Sequence, residues 1–438
     1  MVGTALLGRQ KYGPDTAVDA EMRRSTIPRA TAAHAFSPED ELAFRLVATE
    51  WCRQRDRDRI TELAASVDYE LFAERLNCQR LVALVGHRLV ELCAAEVPSA
   101  FSAMARRAAV ESRHRFVLHR HIARTFASRM ENAGIKVLPL KGPLLAERIY
   151  PDPGLRASPA DLDFLVQPDR LDDAVELMGS IGYRVWDATK WAGGLPHYHY
   201  CLTPPDATLP KVELHWRIHW YEKRFATALI ERSTPDRYGI RTPLVIDDLA
   251  TLLIIFARDG FVGLRLAADI GAWWTAWGEA VQENCLDRIV DEYPALRATL
   301  LTALDVSQRI SGLPSAHLVS DAWQVSPRAR LAPRLANWRI RGSREEVATN
   351  ITLIDLLLTP REAAGGYVRH YYMSPIETYA RDYGWRPETR LRNELRRAAH
   401  ALARVSRSVW RYGARIWSIR GGTYFDVLPP RSSTAGLE

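Results

Sequence analysis

The chain has 438 residues, of which 47% are hydrophobic and 25% charged. That is the make-up of a soluble globular protein rather than a disordered or fibrous one, at a length that suggests two or three domains. Lys and Arg number 59 against 52 Asp and Glu, a net charge of +7. This balance points to an anionic partner, although the shortage of lysine among the basic residues also fits a GC-rich genome.

The five cysteines (Cys52, Cys78, Cys93, Cys201 and Cys285) are scattered and form no CxxC pair. They argue against a disulfide framework or a cysteine zinc site and for a reducing, cytoplasmic setting. Met1 to Pro14 has no long apolar stretch and contains Arg9 and Lys11, so no signal peptide is expected. The longest apolar run, Leu252 to Ala257, stops at Arg258-Asp259, far short of a membrane span.

Residues 1–36 are polar, without sustained periodicity, and read as a disordered arm. Ser37-Pro38-Glu39-Asp40 reads as a helix start, with a capping Ser, Pro at the first helical position and acids in the first turn. From there to 133 apolar residues recur at three- and four-residue intervals, which predicts a helical region. The pattern changes at Gly134. Ile135 to Leu140 predicts a short strand, Pro143 to Tyr150 a helix of about two turns, and Asp161 to Val166 a second strand. A helix opening at Gln167-Pro168 follows, running to about Ser180. Gly182 to Trp186, His197 to Leu202 and Lys211 to Trp216 predict further strands, making 134–222 a compact α+β unit.

Helices are then expected over Leu249 to Phe256, Leu264 to Trp277 and Leu286 to Ile310, so 223–312 reads as a helical region packed on that unit. Leu313 to Glu346 reads as a surface loop. A last helix, Leu391 to about Ile419, carries an apolar stripe interleaved with arginines, within an Arg-rich region and tail over 313–438. It reads first as the solvated face of a helix packed on a domain and alternatively as a contact for an anionic partner.

The chemistry concentrates in Asp161-Leu162-Asp163. Alternate side chains of a strand share a face, so the two carboxylates lie side by side and each raises the other's pKa unless a cation sits between them. Phosphoryl and nucleotidyl transfer need divalent cations held by carboxylates, and magnesium prefers such oxygen ligands. In Val212-Glu213-Leu214-His215-Trp216, Glu213 and His215 share a face, and a neighbouring strand would bring Glu213 up as a third ligand. Leu140-Lys141-Gly142-Pro143 reads as a strand-to-helix turn where the backbone approaches a phosphate. Lys141 and Arg156 are candidates to address a triphosphate, and either also suits a structural ion pair.

His197, His199, His215 and His219, with Glu213, allow a different reading as zinc ligands. Against it, interleaved Tyr198, Tyr200, Trp216 and Trp220 suggest an aromatic sheet face, with His215 beside the carboxylates or contacting substrate. Trp273, Trp274 and Trp277 read as core packing, and Asp269 as an ion-pair partner of Arg265 four residues earlier.

Leu-Lys-Gly, Tyr150 followed by Arg156, Asp-Leu-Asp-Phe-Leu-Val and Val-Glu-Leu-His-Trp, in that order, resemble the uncharacterised bacterial nucleotidyltransferase family of the DNA polymerase β-like nucleotidyltransferase superfamily. The resemblance covers about 134–220, and more loosely the region to about 280. It implies a polymerase-β-like core with a small mixed sheet, flanked by N- and C-terminal helical regions. It also implies transfer of a nucleoside monophosphate from an NTP to a small-molecule, protein or RNA acceptor, with pyrophosphate release. Asp161, Asp163 and Glu213 would be catalytic and hold Mg2+ or Mn2+, with Lys141, Gly142, Arg156 and His215 binding substrate. Pro143 stands where the superfamily usually has a Gly-Ser pair, and the gap from Gly142 to Asp161 is longer than in its commonest members. The rival readings are a catalytically inactive binding protein of the same fold and a histidine-based zinc hydrolase.

Overall fold

The computed structural model describes residues 37–158, 161–185, 198–222, 224–336 and 344–372, and isolated positions between 395 and 406. The arm over 1–36, His197, and most of the arginine-striped helix and tail expected at the C-terminus lie outside the described residues.

Helices come first: α1 (Pro38–Leu46), α2 (Glu50–Arg55), α3 (Arg57–Ser66), α4 (Tyr69–Gln79), α5 (Val82–Cys93) and the 34-residue α6 (Ser99–Asn132). Ser37 caps α1 through its side chain, which accepts from the Asp40 amide, and Pro38 occupies the first turn. The chain then enters β1 (Val137–Pro139), helix α7 (Pro143–Ile149), β2 (Asp161–Val166), helix α8 (Leu171–Ser180), β3 (Arg184–Val185), β4 (His199–Thr203) and β5 (Lys211–His215).

These strands form one mixed sheet of five in the order β1-β2-β5-β4-β3. Only β2 and β5 pair in parallel; the other neighbours are antiparallel. Leu162, Phe164 and Val166 of β2, Leu202 of β4, and Val212 and Leu214 of β5 point to one face. There they pack with Ile122, Ala123, Phe126, Ala127 and Met130 of α6 and with Ala174 and Met178 of α8. Period-two alternation therefore leaves the polar residues of the same strands on the opposite face.

Beyond the sheet, α9 (Arg224–Arg232) and a two-stranded ribbon, β6 (Thr234–Pro235) with β7 (Arg241–Thr242), lead into α10 (Val245–Arg258) and α11 (Arg265–Trp277). The helix expected over Leu286 to Ile310 is interrupted. It appears as α12 (Asp287–Glu292), a 3-10 turn at Pro294–Leu296 and α13 (Arg297–Ser311). Pro294 lacks an amide hydrogen and forces Tyr293 out of helical geometry, to φ −123 and ψ 67. The expected loop after Leu313 contains α14 (Ser315–Leu318) and a 3-10 segment at Ala329–Leu335, and is followed by α15 (Arg344–Leu358) and α16 (Arg361–Tyr372).

The described residues from Ser37 onward fall within one compact unit, and α6 belongs to the core of the sheet that follows it. Among the described residues no helix is long and apolar enough to cross a membrane.

Candidate active site

The polar face of the sheet is assembled by register. Asp163 pairs with Glu213, Asp161 with Lys211 and Leu165 with His215 across the parallel β2–β5 ladder. Across the antiparallel β4–β5 ladder, His199 pairs with His215 and Cys201 with Glu213. Directly paired residues share a face, so Asp161, Asp163, Glu213, His215, His199 and Cys201 all lie on one side.

Asp163 is the buried centre of this patch, at 3% exposure. Its Oδ1 lies 3.2 Å from Lys141 Nζ and 3.1 Å from His215 Nε2, while Oδ2 is buried without a hydrogen-bond partner. Burial pushes this carboxyl up, but the Lys141 ammonium and the His215 hydrogen bond outweigh it and hold the group well below the usual carboxylate range. Asp161, at the more open end, is pushed up by burial and by the Asp163 charge. The two acids thus behave as expected, Asp161 being raised by its neighbour while at Asp163 the nearby Lys141 ammonium, with His215, is the cation that lifts this penalty. Burial also works against the charge on Lys141, yet Asp163 and Asp259 more than offset it and keep the ammonium above the ordinary lysine value.

Gly142 precedes α7 with φ 86 and ψ −144. A side chain is strongly disfavoured in that region, so the tight exit from β1 past Lys141 requires glycine. His215 is 1% exposed, and its Nε2 also lies 3.3 Å from Glu213 Oε2. Tyr198 stacks on its ring with centroids 5.8 Å apart, and the Arg258 guanidinium lies 4.8 Å over the Tyr198 ring.

Arg156 makes the structural ion pair that was one of its two expected roles. Its Nε donates to Asp269 Oδ1 at 2.9 Å and its Nη2 to Oδ2 at 2.9 Å, and Tyr150 Oη donates to the same Oδ1 at 2.9 Å. All three side chains are buried. Asp269 therefore pairs with a residue 113 positions upstream rather than with Arg265 one turn earlier. A buried carboxylate is matched by the guanidinium fork plus a phenol, whereas Arg265 stays half-buried at the first turn of α11. Ser112 and His119 of α6 brace the chain leading into β2: Ser112 Oγ donates to Arg156 O at 2.6 Å, and His119 Nδ1 lies 2.9 Å from Ser158 Oγ.

Of the histidine reading, His199 and His215 converge with Glu213, while His197 lies outside the described residues and His219 stands apart. His219 Nε2 lies 3.1 Å from Asp355 Oδ1, which Trp220 also contacts, so it belongs to a separate pair with α15. Trp273 is fully buried, consistent with packing, while Trp274 and Trp277 are half-buried. Sequence reasoning missed Tyr198 and Arg258 as walls of the site. It also missed Arg265 as a cation close enough to lower the pKa of Asp161. Arg265 makes no ion pair among the described residues. Its position in the first turn of a helix that packs on α7 was the available signal.

Fold and site together define an α+β protein whose mixed sheet turns an acidic, histidine-edged face away from its helical core. The chain belongs to the family described as uncharacterised nucleotidyltransferase, whose profile matches residues 65–310. The match starts well upstream of Gly134 and takes in α4 to α6, in keeping with the contribution of α6 to the core of the sheet. No curated protein and no solved structure matches the chain.

Proposed function

We propose that the chain transfers a nucleoside monophosphate from an NTP to a nucleophilic hydroxyl or phosphate of an acceptor, releasing pyrophosphate, on the acidic face of a polymerase-β-like core. The observation that supports this most is the parallel register placing Glu213 directly beside Asp163, on the face that also carries Asp161. The donor set suits Mg2+ or Mn2+. It is made of carboxylate oxygens, and the buried Asp163 Oδ2 has no hydrogen-bond donor of its own. When bound between Asp161, Asp163 and Glu213, the divalent cation supplies Lewis-acid stabilisation of charge on the phosphoryl group being transferred.

The remaining steps fall to the chain itself. Lys141, kept as an ammonium by its acidic neighbours, offers a point charge to the phosphates beside the glycine turn. His215 and Tyr198 fix the orientation of Asp163 and shield it from water. In this reading Arg156 holds the wall of the site through Asp269, and Arg265 supplies the second cation toward the triphosphate.

The test is incubation of full-length protein with α-labelled NTPs and Mg2+, following pyrophosphate release and transfer of label from a cell extract to an acceptor. Asp161→Ala, Asp163→Ala and Glu213→Ala should each slow transfer by roughly 10²–10³-fold, the equivalent of several kcal/mol of charge stabilisation. Binding of NTP without any turnover would instead identify an inactive member of the family.

A further inference from the structure

We infer that Glu213, His215 and His199 form a second divalent-cation position on this face, one that takes a first-row transition metal such as Zn2+ in preference to Mg2+. The inference lies beyond the transfer reading and does not depend on the reaction. The β4–β5 register sets His199 against His215, with Glu213 two residues away on the same side. One donor atom from each of the three lies within 4.8 Å of the others.

The separations approach those of a coordination shell, with the His215–Glu213 pair already at that spacing. Ligands about 2.1 Å from a zinc ion at tetrahedral corners are about 3.4 Å apart. His215 Nε2 is 3.3 Å from Glu213 Oε2, and His199 Nε2 is 3.9 Å from Glu213 Oε1. The imidazole of His199 is partly exposed and packs against the His215 ring, with centroids 4.8 Å apart. The two oxygens of Glu213 thereby face different imidazoles, and on coordinating, His215 Nε2 releases its proton and exchanges its contact with Asp163 Oδ1 for the cation. Glu213 can then bridge the oxygen-rich position at Asp161 and Asp163 and a nitrogen-rich one at the histidines, the usual relation of paired catalytic cations.

On the same face Asp163 Oδ2 is buried and lacks a partner, so the carboxylates beside Glu213 keep unspent acceptor capacity toward cations. Imidazole ligands select the metal: they suit zinc, copper, iron and nickel, whereas magnesium favours oxygen donors. His219 is committed to Asp355 and contributes nothing here. Cys201 borders Glu213, but its sulfur is not among the converging donor atoms.

The experiment uses full-length protein stripped with a chelator and titrated with Zn2+ or Co2+ in the absence of nucleotide. Stoichiometry is read by elemental analysis and ligand field by the visible spectrum of Co2+. The expected result is tight binding of one equivalent of Zn2+, undisturbed by excess Mg2+, with a low-symmetry Co2+ spectrum free of thiolate charge transfer. His199→Ala, at a partly exposed position, should weaken Zn2+ binding by roughly tenfold or more, and His215→Gln should do the same. Zn2+ binding no tighter than Mg2+, or binding unchanged in His199→Ala, would overturn the inference. Transfer that proceeds with Mg2+ while Zn2+ fails to bind counts against the second position alone. Zn2+ binding without transfer counts against the proposed reaction alone.

Discussion

Asp161 and Asp163 are one residue apart and share a strand face, yet they are driven in opposite directions. Lys141 and His215 stabilise the charge of Asp163, while Asp161 is left with burial and a like-charged neighbour. A raised folded pKa on an acid means that its ionised form costs stability above that pKa, and the cost vanishes below the unfolded value of about 3.9. Asp161→Asn should therefore raise the melting temperature of chelator-treated protein at pH 7 by roughly 1–2 °C, a gain that fades on approach to pH 4. Differential scanning fluorimetry across that range checks it, and an unchanged or lower melting temperature at pH 7 counts against it. The side-by-side placement of these acids and the approach of Glu213 were legible because period-two alternation is a local rule. The partners of Lys141 and Arg156 were not, because they are chosen by residues brought in from β2 and α11.

At the scale of elements, the Arg156–Asp269–Tyr150 contact ties the segment before β2 to α11 and to the end of α7. Removing one partner leaves the other buried and uncompensated. Arg156→Ala should thus destabilise the fold by about 3–5 kcal/mol, and Tyr150→Phe by about 1 kcal/mol, both measurable by urea unfolding. Arg156→Lys, if folded, should leave the KM for NTP unchanged; a large rise would return Arg156 to direct contact with phosphate. Several elements were readable from local sequence. The β2 strand runs over Asp161 to Val166 as its apolar run predicts, and Ser37-Pro38 starts α1. The break at Pro294 was also written locally, but the apolar periodicity on either side of it obscured it. Asp269 shows the opposite case, where an i,i+4 pairing that looks sufficient on one helix loses to a long-range fork.

Across the whole molecule, the sheet and the preceding helices share one core, since five residues of α6 fill the apolar face under β2 and β5. A fragment limited to 134–222 would expose that face. It should aggregate or unfold without a cooperative transition, whereas residues 37–372 should melt as one unit. Circular dichroism melts of the two would decide, and a sharp transition from the short fragment would show the core to be separable. The Arg156–Asp269 fork also has a consequence for synthesis. Arg156 leaves the ribosome 113 residues before its counter-ion, and a guanidinium cannot be sealed into a dry interior without one. Until α11 emerges, the segment leading into β2 must stay open to water. The site therefore closes as a late event in the growth of the chain, and a polypeptide stalled before Asp269 would hold its acidic strand unlatched, a substrate for chaperones rather than an early catalyst.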